Sequence, residues 1–133
     1  MRLFFDEDTG KGIPKALRLL GQTGIEFPDR RGKIREGTAD EDWLPFVGRG
    51  GYLLFSCNTA ILETEGQRNI PVRERVGAVF LTTGQARSMD VLRLILNEWT
   101  WLETIDAATP RPFAYLLTMA GRKTVVDLRA FGR

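Results

Sequence analysis

Met1-Arg2-Leu3-Phe4-Phe5-Asp6-Glu7-Asp8 carries an apolar run straight into three consecutive acids. Arg2 to Phe5 has the length of a short buried strand. Ile13, Ala16, Leu17 and Leu20 then recur at helical spacing, with Pro14 suited to a first turn and Gly21 to a stop. A strand feeding a helix through a polar junction is the opening unit of an α/β protein, and ligands gather beyond the carboxyl ends of such strands. Crowded carboxylates raise one another's pKa unless a cation or hydrogen-bond donors compensate. The cluster at residues 6–8 is therefore a candidate site for a hard divalent metal.

Outward from that stretch, Thr23 to Phe27 reads as a second strand and Asp29 to Gly37 as a charged loop. Thr38-Ala39-Asp40-Glu41-Asp42 opens a short helix that turns Trp43, Leu44 and Val47 inward and ends at Gly48 and Gly50-Gly51. Tyr52-Leu53-Leu54-Phe55 is a continuous apolar run, expected of a strand covered on both faces, and it ends in Ser56-Cys57-Asn58. Leu62 to Arg75, with Gly66 and Pro71, supports at most a broken helix before a fourth strand, Gly77 to Leu81, that ends at Thr82-Thr83. From Ser88, the spacing of Val91, Leu92, Ile95, Leu96, Trp99 and Leu102 predicts the strongest helix. Phe113 to Thr118 and Lys123 to Leu128 follow as an antiparallel hairpin around Ala120-Gly121. The expected fold class is α/β: a single domain over residues 1–133, three layers deep, with a mainly parallel central sheet and a C-terminal β-hairpin.

Composition narrows the chemistry. Of 133 residues, 43% are hydrophobic and 27% charged, which fits a globular chain rather than a disordered one. Histidine is absent, excluding imidazole acid/base catalysis, Ser-His or Cys-His nucleophile pairs and imidazole-held zinc. Cys57 has no intrachain partner, and no apolar run approaches the roughly 20 residues of a membrane span, so a soluble, cytoplasmic protein is expected. The net charge of +2 is mild, but Arg30, Arg31, Lys33 and Arg35 form one basic group and Arg68, Arg73 and Arg75 another. Each is a candidate contact for a polyanion or simply a solvated surface. Gly10-Lys11-Gly12 and Gly48-Arg49-Gly50-Gly51 lack the context of a nucleotide-binding loop and read as turns. Cys57 reads as an idle thiol, and Trp43 and Trp101 as core.

Three polar stations remain: Asp6/Glu7/Asp8, Asp40/Glu41/Asp42, and Ser56/Asn58. Taken singly, Asp8 and Asp40 also suit plain helix caps. Taken in order, the stations resemble the PIN-like nuclease superfamily, particularly the compact proteins related to VapC-type toxins. The likeness is carried by the opening strand into Asp6-Glu7-Asp8, Asp40-Glu41-Asp42-Trp43-Leu44-Pro45, Gly50-Gly51-Tyr52-Leu53-Leu54-Phe55, Val79 to Gly84, and the closing hairpin with Gly121-Arg122.

The resemblance implies a ribonuclease dependent on Mg2+ or Mn2+, the toxin-like half of a toxin–antitoxin pair. Asp6, Asp40 and Asn58 would be the metal ligands, with Glu41 and Asp42 completing the catalytic group. RNA, a cognate antitoxin protein and a second copy of the chain are the implied partners. One departure matters: the family's third strand usually ends in a Thr-Lys-Asp type sequence, whereas this chain has Ser56-Cys57-Asn58 followed by Ala60. Asn58 offers a carbonyl oxygen but no charge. A catalytically degenerate RNA- or protein-binding module is thus the alternative.

Overall fold

Short strands whose side chains alternate between two apolar faces form the centre of the protein in the computed structural model, which describes residues 1–64, 67–82 and 86–128. Gly66, Thr83 and Gly84 lie outside those residues. In chain order the elements are β1 (Leu3–Phe5), α1 (Gly12–Leu19), β2 (Ile25–Glu26), α2 (Asp40–Arg49), β3 (Leu53–Ser56), the one-turn helices α3 (Ala60–Glu63) and α4 (Ile70–Arg73), β4 (Gly77–Leu81), α5 (Ser88–Asn97), α6 (Trp99–Ala108), β5 (Phe113–Leu117) and β6 (Lys123–Val125). The sheet order is β2-β1-β3-β4-β5-β6. Every pairing is parallel except that of β5 with β6, the expected hairpin.

Period-two alternation builds the layers. Leu3, Phe5, Leu53, Phe55, Val79 and Leu81 pack beneath Ile13 and Leu17 of α1, Val91, Leu94 and Ile95 of α5, and Leu102 and Ile105 of α6. Phe4, Leu54, Ala78 and Phe80 face the other way, against Trp43, Leu44 and Val47 of α2 and the apolar residues of α3 and α4. Trp43 stacks on Phe4 with ring centroids 5.2 Å apart, a core role. Burying one Leu or Phe side chain is worth roughly 1.5–3 kcal/mol. All three residues of β1 are buried, so the strand that delivers Asp6 is firmly anchored. Its amino end is tied as well: Arg2 donates to the Gly50 carbonyl and, at 2.7 Å, to the Tyr52 hydroxyl, with its guanidinium 4.2 Å above the Tyr52 ring.

Two expectations change. The long helix is two helices joined at Glu98, whose backbone (φ −97°, ψ 10°) leaves the helical region. Within α5 the buried face runs through Val91, Leu94 and Ile95, so Leu94 takes the inward place expected of Leu96, which is 47% exposed. Leu20 is exposed rather than core-facing, because α1 stops at Leu19 and the chain reverses at Gly21 (φ 93°). Among the described residues no helix is long and apolar enough to cross a membrane.

Gly48, near the end of α2, permits close approach to α4. A Cβ there would lie 2.1 Å from the Glu74 carbonyl oxygen. Backbone cannot yield as a side-chain tip can, so Gly48→Ala is expected to cost about 1–3 kcal/mol despite alanine's better helix propensity. Urea unfolding would measure it as a lower midpoint.

Candidate active site

The chain leaves β1 for β2 on one side and crosses back to β3 on the other, so the carboxyl ends of β1 and β3 form a topological switch point, the usual ligand crevice of a doubly wound sheet. Phe5 pairs with Phe55 across these strands, and the next residue on each is Asp6 and Ser56. By alternation both turn to the face covered by α2. There the Ser56 hydroxyl donates to Asp6 Oδ2, while the Thr9 backbone N–H (3.2 Å) and hydroxyl (2.9 Å) donate to Oδ1.

Asp6 is only 4% exposed. Burial raises its pKa to about 6, an effect that the donors from Ser56 and Thr9 reduce and the negative charge of Asp8 reinforces. A carboxyl group pushed up by desolvation at a strand end makes Asp6 a candidate site residue with a physical cause. Asp6, not Asp8, caps the following turn of 3-10 helix, Glu7–Thr9. Asp8 is exposed, and its charge reaches Asp6, Asp40 and Cys57.

Asp40 does not act as an N-cap either. It is the first residue of α2, and its Oδ1 accepts the Trp43 indole N–H at 3.0 Å. Partial burial is the main cause of its raised pKa, with the charges of Glu41, Asp8 and Glu7 adding to it. Glu41 and Asp42 are exposed on the same turn. Glu7 accepts the Gly37 N–H and lines a cleft of about 200 Å3 with Asp6, Lys11, Phe27, Pro28 and Glu36. Lys11 in turn pairs with Asp29 and Glu36. Cys57 is half-buried, and burial raises its thiol pKa, which suits an idle thiol rather than a nucleophile.

Asn58 is turned to local work: its side-chain oxygen accepts the Ala60 N–H at 3.0 Å at the start of α3, and its own N–H donates to Ser56 Oγ at 2.9 Å. Among the described residues, no group of three or more Asp, Glu, Cys or His side chains is gathered so as to hold a metal ion. Magnesium asks less of a protein than that, since one or two carboxylates can share the ion with water and phosphate. Asp6, with Asp40 or Asp8, would be those carboxylates.

The first basic group, Arg30, Arg31, Lys33 and Arg35, lies on the loop between β2 and α2, on the carboxyl-end side of the sheet. Arg35 donates to the Arg30 carbonyl at 2.9 Å, and Lys33 lies 3.9 Å from Glu26. The second is not beside the carboxylates. Arg68 leads into α4, and Arg73 and Arg75 immediately precede β4, at the amino end of the sheet. Sequence proximity to the site residues gave no sign of this, because the connection from β3 to β4 crosses the full length of the sheet. Ser56 and Thr9, the residues that hold Asp6, were legible only in part: Ser56 as a polar strand end, Thr9 not at all.

A family model described as a PIN-like domain matches residues 1–83, more than half of the chain. The chain belongs to this family. The match covers β1 to β4 and therefore Asp6, Asp40, Ser56 and Asn58, and it puts the chain in a nuclease-like superfamily. No curated protein and no solved structure matches it.

The raised pKa of Asp6 has a sign that can be checked. Its folded pKa of about 6 exceeds the ordinary 3.8, so the folded state holds the proton more tightly than the unfolded state. The group's contribution to stability is therefore most favourable below about pH 4, is lost as pH rises through 6, and is level above that. The difference is at most about 3 kcal/mol. Asp6→Asn in this PIN-like domain is expected to gain about 1–3 kcal/mol at pH 7 and to flatten the stability profile between pH 4 and 7. Thermal melts across that range would test it.

Proposed function

We propose that the protein is a ribonuclease of PIN-like type, the toxin-like component of a toxin–antitoxin pair, which hydrolyses RNA phosphodiesters with Mg2+ or Mn2+. The observation that carries this reading is the buried Asp6 carboxylate, presented at the β1–β3 switch point within reach of the charge of Asp8. A bound divalent ion would supply a polarised water as nucleophile and charge for the phosphate oxygens. Ser56 and Thr9 would keep Asp6 in one orientation, and Asp40 and Asp8 would add the negative charge that draws the ion in. Glu41 and Asp42 would extend that field, and Arg30, Arg31, Lys33 and Arg35 would steer the phosphate backbone to the cleft. A cognate antitoxin, a second copy of the chain and a cytoplasmic setting belong to the same proposal.

A second reading has one specific observation in its favour. Asn58 brings no charge and spends its side-chain oxygen on Ala60, which suits a PIN-like module that binds RNA or protein without cutting it. Cleavage of a labelled RNA with Mg2+ or Mn2+ separates the two. The first reading expects metal-dependent products that fall by at least about 100-fold in Asp6→Ala, the scale on which removing one electrostatic partner from an active site is felt. If the parent is silent and Asn58→Asp acquires metal binding by calorimetry together with cleavage, the second reading stands.

A further inference from the structure

The amino end of the sheet carries a groove of about 580 Å3, opposite the carboxylates, into which Arg49, Arg73, Arg75 and Arg111 all converge. Only Glu74 and Asp106 among its walls are acidic. Both acids act as holders. Glu74, 15% exposed, takes Arg49 Nε at 3.7 Å and Arg73 Nε at 3.6 Å, while those arginine side chains are 77% and 65% exposed. Asp106 takes Arg111 Nη2 at 2.7 Å, and the Arg111 guanidinium rests 5.4 Å from the Phe113 ring centre. Arg111 Nε is buried and has no hydrogen-bond partner among the described residues.

Arg75 is the least expected member. Helix α4 ends with Val76 N–H donating to the Pro71 carbonyl (2.8 Å) and Arg75 N–H to the Val72 carbonyl (3.2 Å), the paired bonds of a Schellman stop. The residue at Arg75's position must be left-handed and is usually glycine. Here it is an exposed arginine at φ 56°, the only non-glycine residue with positive φ among those described, and no carboxylate among the described residues lies within ion-pair distance of it. Backbone strain kept at such a charge on the rim of a basic groove is a reason to ask what the charge binds. Guanidinium forks match phosphate oxygens two at a time, better than a point charge does.

We propose that this groove is a second nucleic-acid contact, which holds phosphates of single-stranded RNA at the end of the sheet remote from Asp6. The inference takes its ligand class from the ribonuclease reading but requires no cleavage, so the test is binding in EDTA. The parent is expected to bind fluorescein-labelled decauridylate, followed by anisotropy. Arg49→Ala combined with Arg75→Gly should weaken it at least about 10-fold and reduce the slope of log affinity against log salt by about 0.7 for each phosphate no longer neutralised. Glycine suits the backbone at position 75, so Arg75→Gly alone should melt at or above the parent's temperature while still binding more weakly. Arg75→Lys, which keeps the charge without the fork, should fall between parent and Arg75→Gly. Affinity within twofold of the parent in the double variant would overturn the proposal. So would an equal loss in Arg93→Ala, on the exposed surface of α5, or equal competition by polyglutamate and unlabelled decauridylate. If the parent binds but never cleaves RNA, the ribonuclease reading fails and the groove stands.

Discussion

The hydrogen bond from Ser56 to Asp6 joins the last residue of β3 to the residue that follows β1, and the candidate site is organised around it. It settles which way the carboxylate points, and with the donors of Thr9 it makes a nearly buried acid tolerable. Burial without those donors would push the carboxyl still further from its ordinary pKa, since desolvation penalises the charged form alone. The arrangement carries an energetic penalty at neutral pH. Sites that keep such groups commonly trade stability for chemistry.

Most of the fold was legible because its signals were strong and local. β1, β3 and β4 are apolar runs bounded by polar ends, and the Trp43 helix and closing hairpin announce themselves with acids and glycine. What periodicity missed were phase and length. The spacing from Val91 to Leu102 satisfies one helix as well as two, and only packing against the sheet distinguishes Leu94 from Leu96. At the site, Asp6 was readable from its position after a strand. The donors that hold it were less so, because Thr9 lies within a turn and Ser56 meets Asp6 only through parallel pairing of distant segments. Neither suggested cap, Asp8 or Asp40, is one: α1 starts only at Gly12, beyond the reach of Asp8, and Asp40 lies inside the first turn of α2 with its Oδ1 taken by the Trp43 indole.

The two basic groups show how topology divides what sequence suggests belongs together. A parallel sheet places every strand-to-helix junction at one end and every helix-to-strand junction at the other. The loop with Arg30 to Arg35 is of the first kind and shares an end with the carboxylates. Arg73 and Arg75 are of the second kind, and they meet Arg49 and Arg111, residues far away in sequence that also lie where helices give way to strands. The carboxylates thus share their end of the sheet with one basic group, while the opposite end gathers arginines from three separate helix-to-strand junctions.

The clasp of Arg2 on Gly50 and Tyr52 has a consequence beyond anchoring a strand. It lies at one end of the β1–β3 pairing and the Asp6–Ser56 bond at the other. Two specific bonds at opposite ends of so short a strand leave little tolerance for sliding. A shift of one residue would break both together and carry Asp6 to the face of Phe5, among aliphatic side chains with no hydroxyl to meet it. Arg2 therefore acts as a vernier for the carboxylate at the far end: the register that seats its guanidinium is also the one that seats Asp6 against Ser56.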